Sequence, residues 1–208
     1  MRKGHYMITK WNNMIEDLQI YLLDSLFQGA GKEPDRTSNE YCNAKYILAV
    51  LYENISKLLV TGGIAFVLGI EGYFFFFAVI YGCLKYFSFG AHLESSLLCL
   101  ISGAATYYGC IYLALYLSNI SLPATFYFVS YLIALATYYR YAPAVSKKQI
   151  LQKGRKAILK KQVLVFILFL FIIQHFLSEI YRILIVLALI AEGGNILPFA
   201  FYIFGERG

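Results

Sequence analysis

The sequence predicts an all-α integral membrane protein, with an N-terminal amphipathic helix followed by about six transmembrane helices. Composition carries this prediction. Of the 208 residues, 60% are hydrophobic and only 14% are charged, and the aromatic content includes 19 tyrosines and 17 phenylalanines. The mean hydropathy is +0.61. Because a soluble domain of this size has no core large enough to bury so much apolar surface, burial in a lipid bilayer is the simplest explanation.

Other protein classes are disfavoured by the same sequence. The first apolar run is interrupted by Asn12, Asn13, Glu16 and Asp17, so no cleavable signal peptide is visible. The four cysteines lack the pattern of a secreted disulfide framework. No His/Cys cluster has zinc-ligand spacing, and no glycine-rich phosphate loop occurs. We therefore expect no metal, no cofactor and no nucleic-acid partner.

The first 28 residues have the periodicity of an amphipathic helix. The apolar residues at helical spacing are Trp11, Met14, Ile15, Leu18, Tyr21, Leu22 and Leu26. Such a helix could lie on the membrane surface or pack against a helix bundle, and the sequence leaves both open. Residues 29–39 are polar and rich in turn formers, so residues 1–40 are predicted to hold the amphipathic helix and a connector.

Six apolar runs follow, and we predict one membrane domain over residues 1–208. Residues 46–139 hold four of the predicted spans, which are Tyr46–Ile70, Tyr73–Tyr86, Leu93–Leu117 and Leu122–Tyr139. Glu71-Gly72 is predicted to be a tight turn between the first two. Residues 162–208 hold the last two spans, Val163–Leu177 and Ile183–Phe204, separated by residues 178–182. Several runs are short for a full crossing, so tilted or partial spans are expected.

The segment between the fourth and fifth runs, residues 140–161, is strongly basic. It contains eight Lys or Arg residues and no acidic residue. Because an excess of Lys and Arg marks the cytoplasmic side of a membrane protein, this segment is predicted to be a cytoplasmic loop. Counting spans from it places both termini and the turn at residues 85–92 on the cytoplasmic side of a multi-pass cell-membrane protein.

A histidine and a cysteine in this turn and the following run have a spacing that suits catalysis. His92 and Cys99 share one helix face, but two turns of rigid helix span about 10 Å, too far for direct proton transfer. The two side chains meet only if Gly90, Ala91 and His92 lie before the helix, and Gly90 has the backbone freedom for that bend. An imidazole within hydrogen-bond reach of a thiol produces the thiolate, which attacks carbonyl carbons.

The same residues also have purely structural interpretations. A cysteine on a membrane helix is usually a small packing residue, and a histidine at a helix start can cap the helix or reach the interface. Small and polar residues on one face of the third run favour close helix packing. They are Ser95, Ser96, Cys99, Ser102, Gly103, Thr106 and Cys110. Ionisable groups inside membranes are nevertheless functional candidates. Spacing alone therefore leaves both the catalytic and the structural interpretation open.

Six residues around this turn resemble the signature of the accessory gene regulator protein B (AgrB) family, integral-membrane cysteine endopeptidases of Gram-positive quorum sensing. They are Lys85, Gly90, His92, Ser95, Ser96 and Cys99. The run Tyr141-Ala-Pro-Ala144 before the basic stretch is similar to the Ala-Pro segment of that family. The amphipathic start and the apolar runs match as well, so the resemblance covers nearly the whole chain.

The resemblance implies that His92 and Cys99 are the catalytic pair and that Gly90 is the glycine of the motif. Lys85 stands where the family has an arginine, and Phe89 stands where it often has another glycine. The implied partner is an AgrD-like precursor peptide, whose C-terminal tail leaves as a Cys99 thioester forms. Ring closure then gives a thiolactone or lactone. The family also implies a homodimer.

Further residues are candidates for supporting roles. Oxyanion stabilisation or substrate support is predicted for Lys85, Gly90, Glu94, Ser95 and Ser96. For Glu94, a charge favoured by the helix dipole is the alternative. Docking of the acidic precursor tail is predicted for Lys147, Lys148, Lys153, Arg155 and Lys156, with anionic membrane lipids as the alternative partner. The competing function is a non-catalytic membrane peptide carrier or regulatory partner, in which Cys99 only packs.

Overall fold

The fold is taken from a computed structural model of the chain. The structure describes residues 20–203 except 30, 32, 34, 37, 91–95, 121 and 145–153. The described residues form helices and connecting turns, together with one isolated β-bridge between Phe89 and Ala144. The prediction of an all-α fold is therefore confirmed for this part of the chain.

Eight helices follow one another along the described chain. The first, α1, covers residues 20–29. The others are α2 (Asn39–Val67), α3 (Glu71–Ser88), α4 (Ser96–Leu117), α5 (Ala124–Tyr141), α6 (Arg155–Ile173), α7 (Glu179–Asn195) and α8 (Pro198–Ile203). A single 3₁₀ turn, Gln174–Phe176, continues α6.

The chain divides into two compact units, residues 1–60 and residues 61–208. Within the first unit, polar contacts fix the connector between α1 and α2. The hydroxyl of Ser38 accepts a hydrogen bond of 3.1 Å from the Tyr41 backbone N–H, as an N-cap residue does. The carboxylate of Asp24 accepts hydrogen bonds of 2.7 Å from both Arg36 and the Tyr41 hydroxyl.

The predicted turn at Glu71-Gly72 is wrong, because α3 begins at Glu71. The chain reverses just before it, at residues 68–70. Gly69 has φ +67, and the Ile70 N–H donates a hydrogen bond of 3.0 Å to the Ala65 carbonyl. A glycine in the left-handed region is the usual way to end a helix, whereas a glutamate in the first turn is favoured by the helix dipole.

Two boundaries in the C-terminal half also differ from the predictions. The last apolar run is two helices, because Pro198 lacks a backbone N–H and its ring would clash inside a continuous helix. The basic segment is not a loop throughout. Residues 155–161 form the first turns of α6, since Lys and Arg are good helix formers, and Arg140 belongs to the last turn of α5. Residues 145–153 lie outside the described part.

Helix α7 is the central helix of the 61–208 unit, and it packs against α3, α4 and α5. Four consecutive residues, Ile183 to Val186, are at most 1% exposed, so every side of the helix is covered along this turn, whereas Ile190 is 57% exposed. The outer helices keep an apolar outward face; on α6, for example, Phe169 is 53% exposed and Ile172 is 62% exposed. A helix that is apolar and buried all round is the core of such a bundle.

Two helices in the described part are long and apolar enough to cross a membrane, Leu98–Leu117 and Arg155–Phe176. A shorter apolar helical stretch covers Asn54–Val67. The structure thus offers two candidate spans, and the larger number of about six stays a prediction.

Candidate active site

The structure describes only some of the residues that the sequence singles out. Lys85, Gly90, Cys99, Arg155 and Lys156 are described, and Ser96 is the residue at which α4 begins. The candidates outside the described residues are His92, Glu94, Ser95, Lys147, Lys148 and Lys153. The contact between His92 and Cys99 therefore stays a prediction, and the geometry available is that of the chain on either side of His92.

Helix α3 ends in a tight three-residue turn at Ser88, Phe89 and Gly90. The Gly90 N–H donates a hydrogen bond of 3.1 Å to the Ser88 carbonyl, which makes Phe89 the centre of a γ-turn. Phe89 has φ 66 and ψ −80, and Gly90 has φ +77. Gly90 thus lies outside the helix in a left-handed conformation, and this is the bend that the glycine predicted from the sequence. A phenylalanine with positive φ is unusual and strained.

This turn pairs with the Ala-Pro segment that follows α5. The Ala144 N–H donates a hydrogen bond of 2.8 Å to the Ser88 carbonyl, and the Ala144 carbonyl accepts one of 3.1 Å from Gly90. The Ala142-Pro143 peptide bond is cis. The two sequence blocks that carry the family resemblance are therefore in direct backbone contact, through residues more than fifty positions apart.

A carboxylate that the sequence analysis did not single out lies beside the turn. Glu192 of α7 is 0% exposed and accepts a hydrogen bond of 2.6 Å from the Ser88 hydroxyl. Asn195 donates to the second Glu192 oxygen at 3.3 Å and to the Tyr81 hydroxyl at 2.8 Å. A Cβ atom on Gly90 would lie only 3.0 Å from Glu192 Oε1. The sequence could have pointed to Glu192, because it is an ionisable residue inside an apolar run.

Lys85 and Cys99 flank the turn on either side. Lys85 is half-buried one helical turn before Phe89, with its ammonium 6.0 Å from the centre of the Tyr81 ring. Cys99 is a half-buried free thiol at the beginning of α4, and its carbonyl accepts a hydrogen bond of 3.3 Å from Ser102. Among the described residues, no three His, Cys, Asp or Glu side chains are grouped to hold a metal ion.

Basic residues collect at the end of the 61–208 unit that holds the turn. The start of α6 meets the end of α5 there, with the Lys160 ammonium 4.4 Å from the centre of the Tyr139 ring. The described basic residues at this end are Lys85, Arg140, Arg155, Lys156, Lys160 and Lys161. At the opposite end, Glu179 accepts a hydrogen bond from Tyr127 and lies 3.7 Å from Arg182. The electropositive end of the unit is thus the end with the turn and Cys99.

Comparison with known proteins points to one family. The family model for accessory gene regulator B matches residues 24–196. An accessory gene regulator protein B of Staphylococcus haemolyticus (strain JCSC1435) is 27% identical over 190 residues, covering 91% of this chain and 95% of that protein. One of Staphylococcus lugdunensis is 32% identical over 157 residues, with 74% and 80% covered. One of Staphylococcus aureus (strain JH9) is 26% identical over 164 residues, with 78% and 85% covered. No solved structure matches the chain.

Proposed function

The chain belongs to the accessory gene regulator B family, and on this premise we propose that it is an intramembrane cysteine endopeptidase that processes a quorum-sensing precursor peptide. One observation carries the proposal. The family match covers residues 24–196, which include the whole run from Lys85 to Cys99 and the Ala-Pro segment in contact with it. The family resemblance identified from the sequence is confirmed by this match, and it implicates the chain in processing of the autoinducer.

The proposed nucleophile is Cys99. His92 takes the proton of the Cys99 thiol, and the thiolate attacks the peptide carbonyl at the C-terminal end of the precursor's central segment. The C–N bond breaks, and the departing tail takes the proton from the imidazolium as its free amine. The remaining peptide stays on Cys99 as a thioester. Cys99 is a half-buried free cysteine at the beginning of α4, so the described chain covers this residue only in part.

Ring closure is the second proposed step. A cysteine or serine of the peptide attacks the thioester carbonyl, its proton passes to Cys99, and a thiolactone or lactone leaves. Exchange of one thioester for another changes the free energy little, so the ring forms only if water is kept from the acyl group. Among the aromatic side chains packed between α3 and α4, Tyr81 and Tyr107 lie nearest along their helices to the turn and Cys99, and they support such exclusion.

Supporting roles are proposed for the chain around the turn. The strained turn at Ser88–Gly90 fixes the direction in which the chain leaves α3 toward His92. Lys85 is half-buried one helical turn before Phe89 and is suited to stabilise the oxyanion, as are backbone N–H groups near the start of α4. Glu94, Ser95 and Ser96 are proposed to orient His92 or the substrate.

The basic end of the unit is proposed to receive the acidic tail of the AgrD-like precursor. Neutralising the docking residues to glutamine should weaken precursor binding and flatten its dependence on salt, because opposite charges at a surface are screened by ions. Those residues are Lys147, Lys148, Lys153, Arg155 and Lys156. Comparing the triple neutralisation of Lys147, Lys148 and Lys153 with that of Arg2, Lys3 and Lys10 controls for the loss of net charge. Unchanged binding with unchanged salt dependence would leave anionic membrane lipids as the partner of this end.

The electropositive end also supports a topology. An excess of Lys and Arg marks the cytoplasmic side, so the turn, Cys99 and the start of α6 are proposed to lie at the inner leaflet of the cell membrane. Both termini are proposed to be cytoplasmic as well. A homodimer is proposed on the family relationship alone.

Co-expression with an AgrD-like precursor tests the catalytic proposal. Cells with the unaltered chain should release a shortened, cyclised peptide, whereas Cys99→Ala and His92→Ala should release none while inserting normally into the membrane. Cys110→Ala is the matched control, because Cys110 is a second half-buried cysteine on the same helix. Continued processing by Cys99→Ala would instead favour a non-catalytic peptide carrier or regulatory partner.

A further inference from the structure

Glu192 is the described residue whose burial most needs an explanation. It is fully buried in a helix whose other buried residues are apolar, apart from Gly193. Burying a carboxylate away from water is unfavourable unless hydrogen bonds or opposite charges compensate it. Replacing such a group by an apolar residue often costs nothing in stability, so fold stability alone is a weak reason for its presence.

The groups facing Glu192 come from four helices. Ser88 and Asn195 donate hydrogen bonds to its two oxygens. Lys85 and Tyr81 of α3 also interact with the carboxylate, and its charge acts on Tyr107 of α4 and Tyr138 of α5. Except for Asn195, which lies on α7 beside Glu192, these partners belong to the helices that lead into and surround the turn. The carboxylate is therefore placed to act on the turn.

The turn is a conformation that its own residues do not favour. Phe89 has φ 66, a conformation that is unfavourable for a residue with a Cβ atom. Such strain persists only where surrounding contacts over-determine the backbone. From outside α3, the described hydrogen bonds to this turn are the two backbone bonds with Ala144 and the Ser88 bond to Glu192. Removing the carboxylate would leave a buried hydroxyl without its acceptor and open space beside Gly90.

We infer that Glu192 is a positioning residue for the catalytic histidine: its bond to Ser88 holds the turn at Gly90 so that His92, two residues later, reaches Cys99. This inference rests on the proposed function. Two residues of chain span at most about 7 Å, so a turn that relaxes by a few ångströms would take the imidazole out of reach of the thiol.

The positioning role of Glu192 can be tested without any substrate. The measurement is the rate at which iodoacetamide alkylates Cys99 as a function of pH. The full-length chain is used in lipid nanodiscs, and alkylation at Cys99 is resolved by peptide mass spectrometry. A thiol paired with an imidazole reacts at a lower pH than a thiol alone, because only the thiolate attacks. His92→Ala should therefore slow alkylation near neutral pH and leave the rate in strong base unchanged.

Glu192→Leu, which has no acceptor for the Ser88 hydroxyl, should move the alkylation profile toward that of His92→Ala, slowing the reaction near neutral pH by about fivefold or more. Ser88→Ala should do the same. The double variant should be no slower than either single one, because both remove the same bond. Glu179→Leu is the matched control. Glu179 is another carboxylate of α7 that accepts a hydrogen bond from a hydroxyl, that of Tyr127 on α5, but at the far end of the helix, so its variant should follow the wild-type profile.

The outcomes separate the two proposals. If His92→Ala shifts the profile and Glu192→Leu does not, the positioning role is overturned while the catalytic pair stands. If His92→Ala leaves the profile unchanged, the catalytic pair is wrong and the positioning role falls with it. Should Glu192→Leu fail to fold, Ser88→Ala decides alone, and a wild-type profile from that variant overturns the inference.

Discussion

The hydroxyl of Ser88 donates a 2.6 Å hydrogen bond to the carboxylate of Glu192, joining the end of α3 to the end of α7 across 104 residues of sequence. The backbone of Ala144 adds a third segment to the same place. The chain that leads to His92 is thus held by parts of the protein that lie far apart in sequence. Substitutions in these segments should affect the site even though none of them supplies the nucleophile.

Gly90→Ala should destabilise the 61–208 unit by about 1–2 kcal/mol and reduce precursor processing. Gly90 has φ +77, and an added Cβ would lie 3.0 Å from Glu192 Oε1. Gly82→Ala is the control, since a Cβ there meets nothing within 4 Å and alanine is the better helix former. Thermal unfolding in detergent should show opposite shifts for the two variants. Equal shifts would contradict the strained turn.

Phe89→Gly should be more stable than Phe89→Ala by about 0.5–1 kcal/mol, since both lose the aromatic ring and only glycine removes the Cβ that opposes a positive φ. Tyr86 lies in the last turn of α3 and is 64% exposed, so the same pair of substitutions there should give the usual order, with alanine the more stable. The comparison of four unfolding midpoints checks this. An alanine preference at both positions would count against the turn.

The hydrogen-bonded cluster of Asp24, Arg36 and Tyr41 should lose stability in acid. The hydrogen bond from Tyr41, and then that from Arg36, hold the pKa of the Asp24 carboxyl below its usual value of 3.8. Because the folded pKa is the lower one, the stabilisation is present above the unfolded pKa and is lost as the pH falls through the folded pKa. Cleavage of the connector by pepsin should therefore be faster in Asp24→Asn than in wild type at about pH 4, with the difference shrinking as the pH is lowered further. A rate ratio independent of pH would exclude this role.

Cysteine labelling should report the orientation of the chain. Asn119 lies in the exposed turn after α4, at the end opposite the basic residues. Asn119→Cys should react with a membrane-impermeant maleimide in intact cells, whereas Lys147→Cys should react only after the cells are permeabilised. The unaltered chain measures labelling of the native cysteines. The reverse pattern would place the predicted catalytic turn outside the cell and remove its access to a cytosolic precursor.

Local features of the fold could be predicted from the sequence. Apolar runs of helical length indicated most of the helices, and the glycine before His92 indicated a bend outside a helix. Boundary errors arose where one residue decides between alternatives: Gly69, not Glu71-Gly72, reverses the chain, and Pro198 splits the last run. Both choices depend on backbone conformation, which apolar periodicity does not report.

The contacts that define the candidate site could not be predicted in the same way. Nothing in local sequence shows that Ala144 would bond to Ser88, or that Glu192 would be buried beside Gly90. These contacts follow from how α3, α5 and α7 pack, and one sequence contains no record of that packing. Glu192 could have been singled out as an ionisable residue inside an apolar run, but its partner could not have been named.

The most direct test of the account is the intact mass of the chain after incubation with an AgrD-like precursor whose own ring-closing residue is replaced by alanine. Without that residue nothing displaces the acyl group, so a hydroxylamine-sensitive adduct with the mass of the precursor lacking its tail should accumulate on Cys99. The adduct should be absent from Cys99→Ala. Release of the tail without any adduct on Cys99, or release by Cys99→Ala itself, would contradict the proposed thioester.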